Sequence, residues 1–229
     1  MTFIEIQFEL QGKSLPADHG YSLYSAVKKN LLETGNPLKQ AILETVPSSE
    51  EKKLPSNVLI STISGMPNGN KMITLTQSSV LCLRCPASDV RPWYSLLQNQ
   101  VLNLRGHLIR LIQPRLVLPQ ASPLLKSRLV TFKLEAIDHS EVPSYFLESC
   151  KKALDRLEIK AQVYIDSNEH GDLARRALKI KEKHVIGYGV VVEGLSDEDS
   201  IKLQCQGLGG RKHFGCGWFH PVKENNYET

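Results

Sequence analysis

At 229 residues, with 41% hydrophobic and 23% charged side chains, the chain has the composition of a folded globular protein and not of a disordered one. A formal charge of +4 tilts it mildly toward anionic partners. Its five scattered cysteines are an odd number, which excludes the disulfide framework of a small secreted protein and leaves reduced thiols as the expectation.

The N-terminal stretch MTFIEIQFELQGK lacks the basic start and cleavage site of a signal peptide, and no apolar run reaches the ~18 residues that span a bilayer. A cytoplasmic protein with no membrane partner is expected. In FIEIQFEL the apolar residues Ile4, Ile6, Phe8 and Leu10 alternate with Glu5, Gln7 and Glu9, which predicts a strand with one buried and one wet face. The period then changes: Leu23, Tyr24, Val27 and Leu31 form a helical stripe, with Asp18 or Ser22 available as N-cap. Apolar runs at NVLISTI, KMITLTQ and SVLCLRC read as strands, SDVRPWYSLLQNQ as a helix and HLIRLIQP as a further strand. The polar segment from Gly35 to Ser56 is expected to be a loop or a small helical insertion.

Pro114, Pro119 and Pro123 mark a boundary, after which the order repeats. SRLVTFKLE is a strand, VPSYFLESCKKALDRL a helix, AQVYI a strand, and ARRALKIKEKHVIGYGVVVEGL two strands around a turn at Glu182 and Lys183. In the helix SDEDSIKLQCQ, Ser196 and Asp199 resemble a capping box, Gly207 stands where a helix stops, and FGCGWFHPV is the last strand. The fold class is therefore α+β, two tandem ferredoxin-like (RRM-like) βαββαβ domains over residues 1–118 and 119–229.

The run GLGGRKHFGCG places five of the chain's 15 glycines within eleven positions, with Arg211, Lys212 and His213 among them. It follows a helix and opens a strand, unlike a dinucleotide fingerprint, and it lacks the G-K-[ST] of a phosphate-binding P-loop. Two readings stay open: an amide-rich anion cradle formed by Gly207, Gly209, Gly210, Arg211 and Lys212, or a structural turn. In RRALKIKEKH, a strand would present Lys179, Lys181 and Lys183 on one basic face, suited to RNA phosphates or simply to a solvated edge. Lys126 and Arg128 are further phosphate-contact candidates. The sequence shows no H-E-x-x-H motif and no carboxylate grouping of the two-metal kind, and no cofactor or metal is expected.

Together, GLGGRKHFGCGWF, the preceding GYGVVVEGLSDEDSIKLQ and the N-terminal LPADHGYSLYSAV resemble the CRISPR-associated repeat endoribonucleases, CRISPR-associated protein six of the RAMP superfamily. The resemblance implies a metal-independent endoribonuclease that cleaves precursor crRNA at a CRISPR repeat by 2′-hydroxyl attack, with the glycine-rich loop lying against the RNA. Its partners would be repeat RNA and other CRISPR effector subunits. Read by itself, His19 is a helix-start hydrogen-bonding residue or a general acid or base. Its match to the family's catalytic position implies the second. Tyr21 and Lys28 lie near it as candidate helpers, and His213, in the glycine run, is a candidate RNA contact and the second choice as an acid–base group. The alternative is a non-catalytic RAMP subunit that holds crRNA in an effector complex.

Overall fold

The alternation of the first strand produces the face it predicts. In β1 (Phe3–Gln11), Ile6 and Phe8 are fully buried. The opposite face is not uniformly wet, since Glu5 is buried as well and its carboxylate accepts from Arg84 Nε at 2.7 Å. The computed structural model describes residues 2–33, 42, 54–133, 142–168 and 170–222. The segment from Gly35 to Ser56 lies largely outside them.

One compact unit runs to Pro119 and also contains Leu178–His184 and His213–Gly215. After β1 come β2 (Ser14–Pro16), α1 (Gly20–Glu33), β3 (Leu59–Ile60), β4 (Met66–Pro67), β5 (Met72–Thr74) and β6 (Val80–Pro86). They are followed by α2 (Val90–Leu97), β7 (Val101–Leu104) and β8 (His107–Val117). The main sheet has the order β3-β6-β1-β8-β7, every pair antiparallel, and β2, β5 and β4 form a small separate sheet. On α1 the expected stripe is realised, with Leu23, Val27 and Leu31 buried in one cluster with Trp93, Leu96 and Leu97 of α2. Each such side chain taken fully out of water stabilises the unit by roughly 1.5–3 kcal/mol.

The second unit holds the rest of the chain from Gln120. It comprises β9 (Leu124–Val130), α3 (Val142–Arg156), β10 (Gln162–Ile165), α4 (Asp197–Gln206) and β13 (Phe219–Pro221), with β11 (Arg175–Ile180) as far as Ala177 and β12 (Lys183–Glu193) from Val185 onward. Its strand order is β10-β12-β9-β13, with β11 also paired to β12. Setting aside the extra strands β7 and β11, both sheets run second, third, first, fourth, the order a split βαβ arrangement requires. Phe146, Cys150 and Leu154 of α3 supply the helical face of this core.

Several boundaries move. β9 starts before the expected SRLVTFKLE, and the last residues of that stretch fall outside those described. The hairpin turn falls at Lys181–Glu182, one residue early. The last strand begins at Phe219, because Lys212–Phe214 forms a 3-10 turn. All five cysteines are buried, and burial pushes the Cys85 and Cys150 thiols up to about 12. No helix among the described residues is long and apolar enough to cross a membrane.

Candidate functional site

α1 begins at Gly20, so the residue at its cap is His19, whose carbonyl accepts the first helical bond from the Leu23 amide at 2.8 Å. Neither expected cap serves: the Ser22 hydroxyl donates to the His19 carbonyl, and the Asp18 carboxylate accepts from the Lys179 amide at 2.7 Å. The His19 imidazole is 2% exposed. Its Nδ1 lies 2.9 Å from the Pro16 carbonyl and its Nε2 accepts from the Ile63 amide at 2.9 Å. A carbonyl only accepts and an amide only donates, so the proton resides on Nδ1 and the Nε2 lone pair is already engaged. Of the two readings of His19, the helix-start hydrogen-bonding residue is the one whose contacts are on display here. In this structure His19 is a helix-start hydrogen-bonding residue that ties α1 to the segment around Ile63.

The two sequence motifs meet at this point. A Cβ on Gly20 would lie 2.3 Å from the Phe214 carbonyl oxygen, so only glycine allows the chain at 213–215 to approach the start of α1 this closely. Tyr21 meets Phe214 edge-on at 5.8 Å, Tyr24 does so at 4.6 Å, and the His213 ring stacks on Tyr24 at 6.0 Å. His213 Nε2 lies 2.8 Å from the Pro55 carbonyl, which makes that nitrogen a donor. Lys28, the second expected helper, places its ammonium 5.9 Å from the centre of the Tyr24 ring, a cation–π contact.

On the other flank of α1 a cleft of about 510 Å³ opens, lined by Tyr21, Ser25 and Lys29 of the helix, by Asn103 and Arg105, and by Lys179, Lys181 and Glu182. Four cations against one carboxylate make it a site for an anion. Tyr21 is the one expected catalytic residue that lines it. Lys29, Asn103 and Arg105 escaped the sequence reading, because a lysine on a helix and an arginine in a turn look like ordinary solvated positions until the fold collects them. The basic strand is also revised: Lys179 lies in β11, Lys181 in the turn and Lys183 in β12, so the three do not share one strand face. Lys179 additionally pairs with Glu182 at 3.6 Å.

The remaining expected RNA contacts belong to the second unit. Lys126 forms an ion pair with Asp166 at 2.8 Å, and Arg128 is exposed two residues along β9. Gly207 is buried and caps the end of α4. Gly209 has φ +77°, and a Cβ there would lie 2.6 Å from the carbonyl oxygen of buried Thr131, to which the Gly210 amide donates at 2.8 Å. Burial lowers the Lys212 ammonium below the ordinary lysine pKa. Of the two readings of the glycine run, the structural turn has the geometry for Gly207 and Gly209. Gly209→Val is accordingly expected to lower stability by roughly 2–4 kcal/mol, the left-handed backbone and the Thr131 contact both opposing it. Gly210→Ala, whose Cβ would stand 3.7 Å from the Thr131 oxygen, should melt with the wild type. Thermal melts decide the matter, and a Gly209→Val protein with unchanged Tm would refute the structural turn.

Among the described residues, no three His, Cys, Asp or Glu side chains converge as a metal site. The sequence profile of the family described as Cas6 Crispr matches residues 4–224. A CRISPR-associated endonuclease Cas6 from Myxococcus xanthus (strain DK1622) is 30% identical over 221 residues, 96% of this chain and 82% of that protein. A solved structure described as CRISPR associated protein Cas6 aligns with a TM-score of 0.67 at 14% identity, covering 96% of this chain and 100% of that one. Another, described as an RAMP protein binding different RNA substrates, gives 0.64 at 12% identity, covering 97% and 100%. At such identities these two structures speak for the shared α/β fold.

Proposed function

The chain belongs to the Cas6 family of CRISPR-associated proteins, and from that premise we propose that it is an endoribonuclease that binds CRISPR repeat RNA and cuts precursor crRNA without a metal ion. RNA carries its own nucleophile. The 2′-hydroxyl beside the scissile phosphate gives its proton to water as its oxygen bonds to phosphorus, the bond from phosphorus to the 5′-oxygen breaks, and that oxygen takes a proton back from water. The products are a 2′,3′-cyclic phosphate and a 5′-hydroxyl.

The observation that carries the reading is the cationic cleft along α1 with Tyr21 in its wall. The positive potential of the cleft favours charge that builds on the phosphate oxygens, and the Tyr21 hydroxyl serves as a hydrogen-bond donor to the reacting group. His19 is a positioning residue, holding the helix start on which Tyr21 is mounted two residues later. Lys28 adds positive potential from about two turns further along. An odd number of scattered cysteines suits a cytoplasmic setting.

A specific observation favours the second reading, a non-catalytic RAMP subunit that holds crRNA beside other effector subunits: both nitrogens of His19 are engaged inside the protein. One experiment separates the two. The CRISPR repeat RNA encoded beside the gene is incubated with the protein in excess EDTA, in parallel with the same RNA fully 2′-O-methylated. Endoribonuclease activity predicts a single cut with a cyclic phosphate end in the first and none in the second. Activity that requires added magnesium, or a cut in the methylated RNA, contradicts the mechanism. Tight binding with no cut in either establishes the second reading.

A further inference from the structure

Two hairpin tips of the first unit carry a cation in the left-handed backbone region, Arg105 with φ +56° in the β7–β8 turn and Lys181 with φ +53° in the β11–β12 turn. A side chain with a Cβ is strained there by roughly 1–2 kcal/mol, a strain that glycine lacks. The β7–β8 turn does not need an arginine for its shape. Gly106 follows with φ +91°, and the Asn103 side-chain oxygen accepts the Gly106 amide at 2.7 Å, which already closes the turn. Among the described residues, neither Arg105 nor Lys181 has an ion-pair partner. Both line the same cleft, and Lys29 approaches it from α1. Strained backbone, charge without a counter-ion and convergence on one concave surface are together what a site for an external anion requires.

We infer that Lys29, Arg105 and Lys181 form a seat for a phosphodiester of the RNA strand, one that anchors the strand on the flank of α1 while Tyr21 meets the group that reacts. The identity of the ligand rests on the endoribonuclease reading; the seat itself rests on the three cations. Arg105 is the informative position, because glycine in its place removes the charge and relieves the backbone at once.

Affinity for the fully 2′-O-methylated repeat RNA is measured across a salt series for the wild type, Arg105→Gly, Lys29→Gln and Arg91→Gln. Arg91 is exposed on α2, does not line the cleft, and controls for loss of net charge. Arg105→Gly is expected to melt at or above the wild-type temperature and still bind more weakly. The slope of log affinity against log salt should fall by ~0.7–0.9 for Arg105→Gly and for Lys29→Gln, one phosphate contact each. Arg91→Gln should leave the slope unchanged. An unchanged slope in Arg105→Gly, or an equal fall in Arg91→Gln, overturns the seat. Because this RNA cannot be cut, the result is independent of catalysis. A wild type that cleaves ordinary repeat RNA while Arg105→Gly keeps its slope loses only the seat. A wild type that binds without cutting while Arg105→Gly loses slope keeps the seat and loses the nuclease. Absence of wild-type binding overturns both.

Discussion

His19→Ala is expected to destabilise the protein before it does anything else. The substitution removes the acceptor of the Ile63 amide, a buried bond, together with the donor to the Pro16 carbonyl. A buried amide left without a partner costs ~1–3 kcal/mol. The space vacated by the imidazole adds to this, for a total of about 2–4 kcal/mol. In a chain of this length the melting temperature should fall by roughly 4–16 °C. His19→Gln, whose amide offers one donor and one acceptor, should recover part of the loss. Thermal melts paired with single-turnover cleavage rates check this account. A His19→Ala protein that melts with the wild type yet cleaves ~10²–10⁴-fold more slowly would return proton transfer to this imidazole.

Much of the fold was legible because its elements carry a period. The stripe of Leu23, Val27 and Leu31 fixes which side of α1 is buried, and Ser196 caps α4 by accepting from the Asp199 amide at 3.1 Å. Two-residue strands such as β3 and β4 were not legible as strands of that length, since two residues have no period to read. The hairpin turn falls one residue before its expected place because Lys181, Glu182 and Lys183 all suit a turn, and only the left-handed backbone at Lys181 distinguishes them.

The site was less legible for a different reason. Its defining bond, Ile63 amide to His19, joins residues 44 apart, and nothing local in either segment announces it. A histidine at a helix start has the same appearance in sequence whether its ring faces solvent or the interior. The glycine run has two physical explanations of equal standing in sequence, and the Thr131 carbonyl beneath Gly209, which supports the structural turn at that position, lies far from it along the chain. Lys29 and Arg105 acquire meaning only where α1 and the β7–β8 turn border one cleft.

Tyr21→Phe is the second large effect and the most direct test of the central claim that RNA is cut in the cleft beside α1. The substitution deletes one hydroxyl and retains the ring that packs edge-on to Phe214. Fold and RNA affinity should therefore hold while stabilisation of the phosphate in the transition state is lost. Removing one such donor costs on the order of 10²–10³ in rate. The measurement is the single-turnover cleavage rate of repeat RNA in EDTA, taken with the melting temperature and RNA affinity of the same preparation. The account predicts a rate lower by that factor with the other two unchanged. A Tyr21→Phe protein that cleaves at the wild-type rate, beside a His213→Ala protein that folds, binds and does not cleave, would contradict it and move the chemistry to the other flank of the helix.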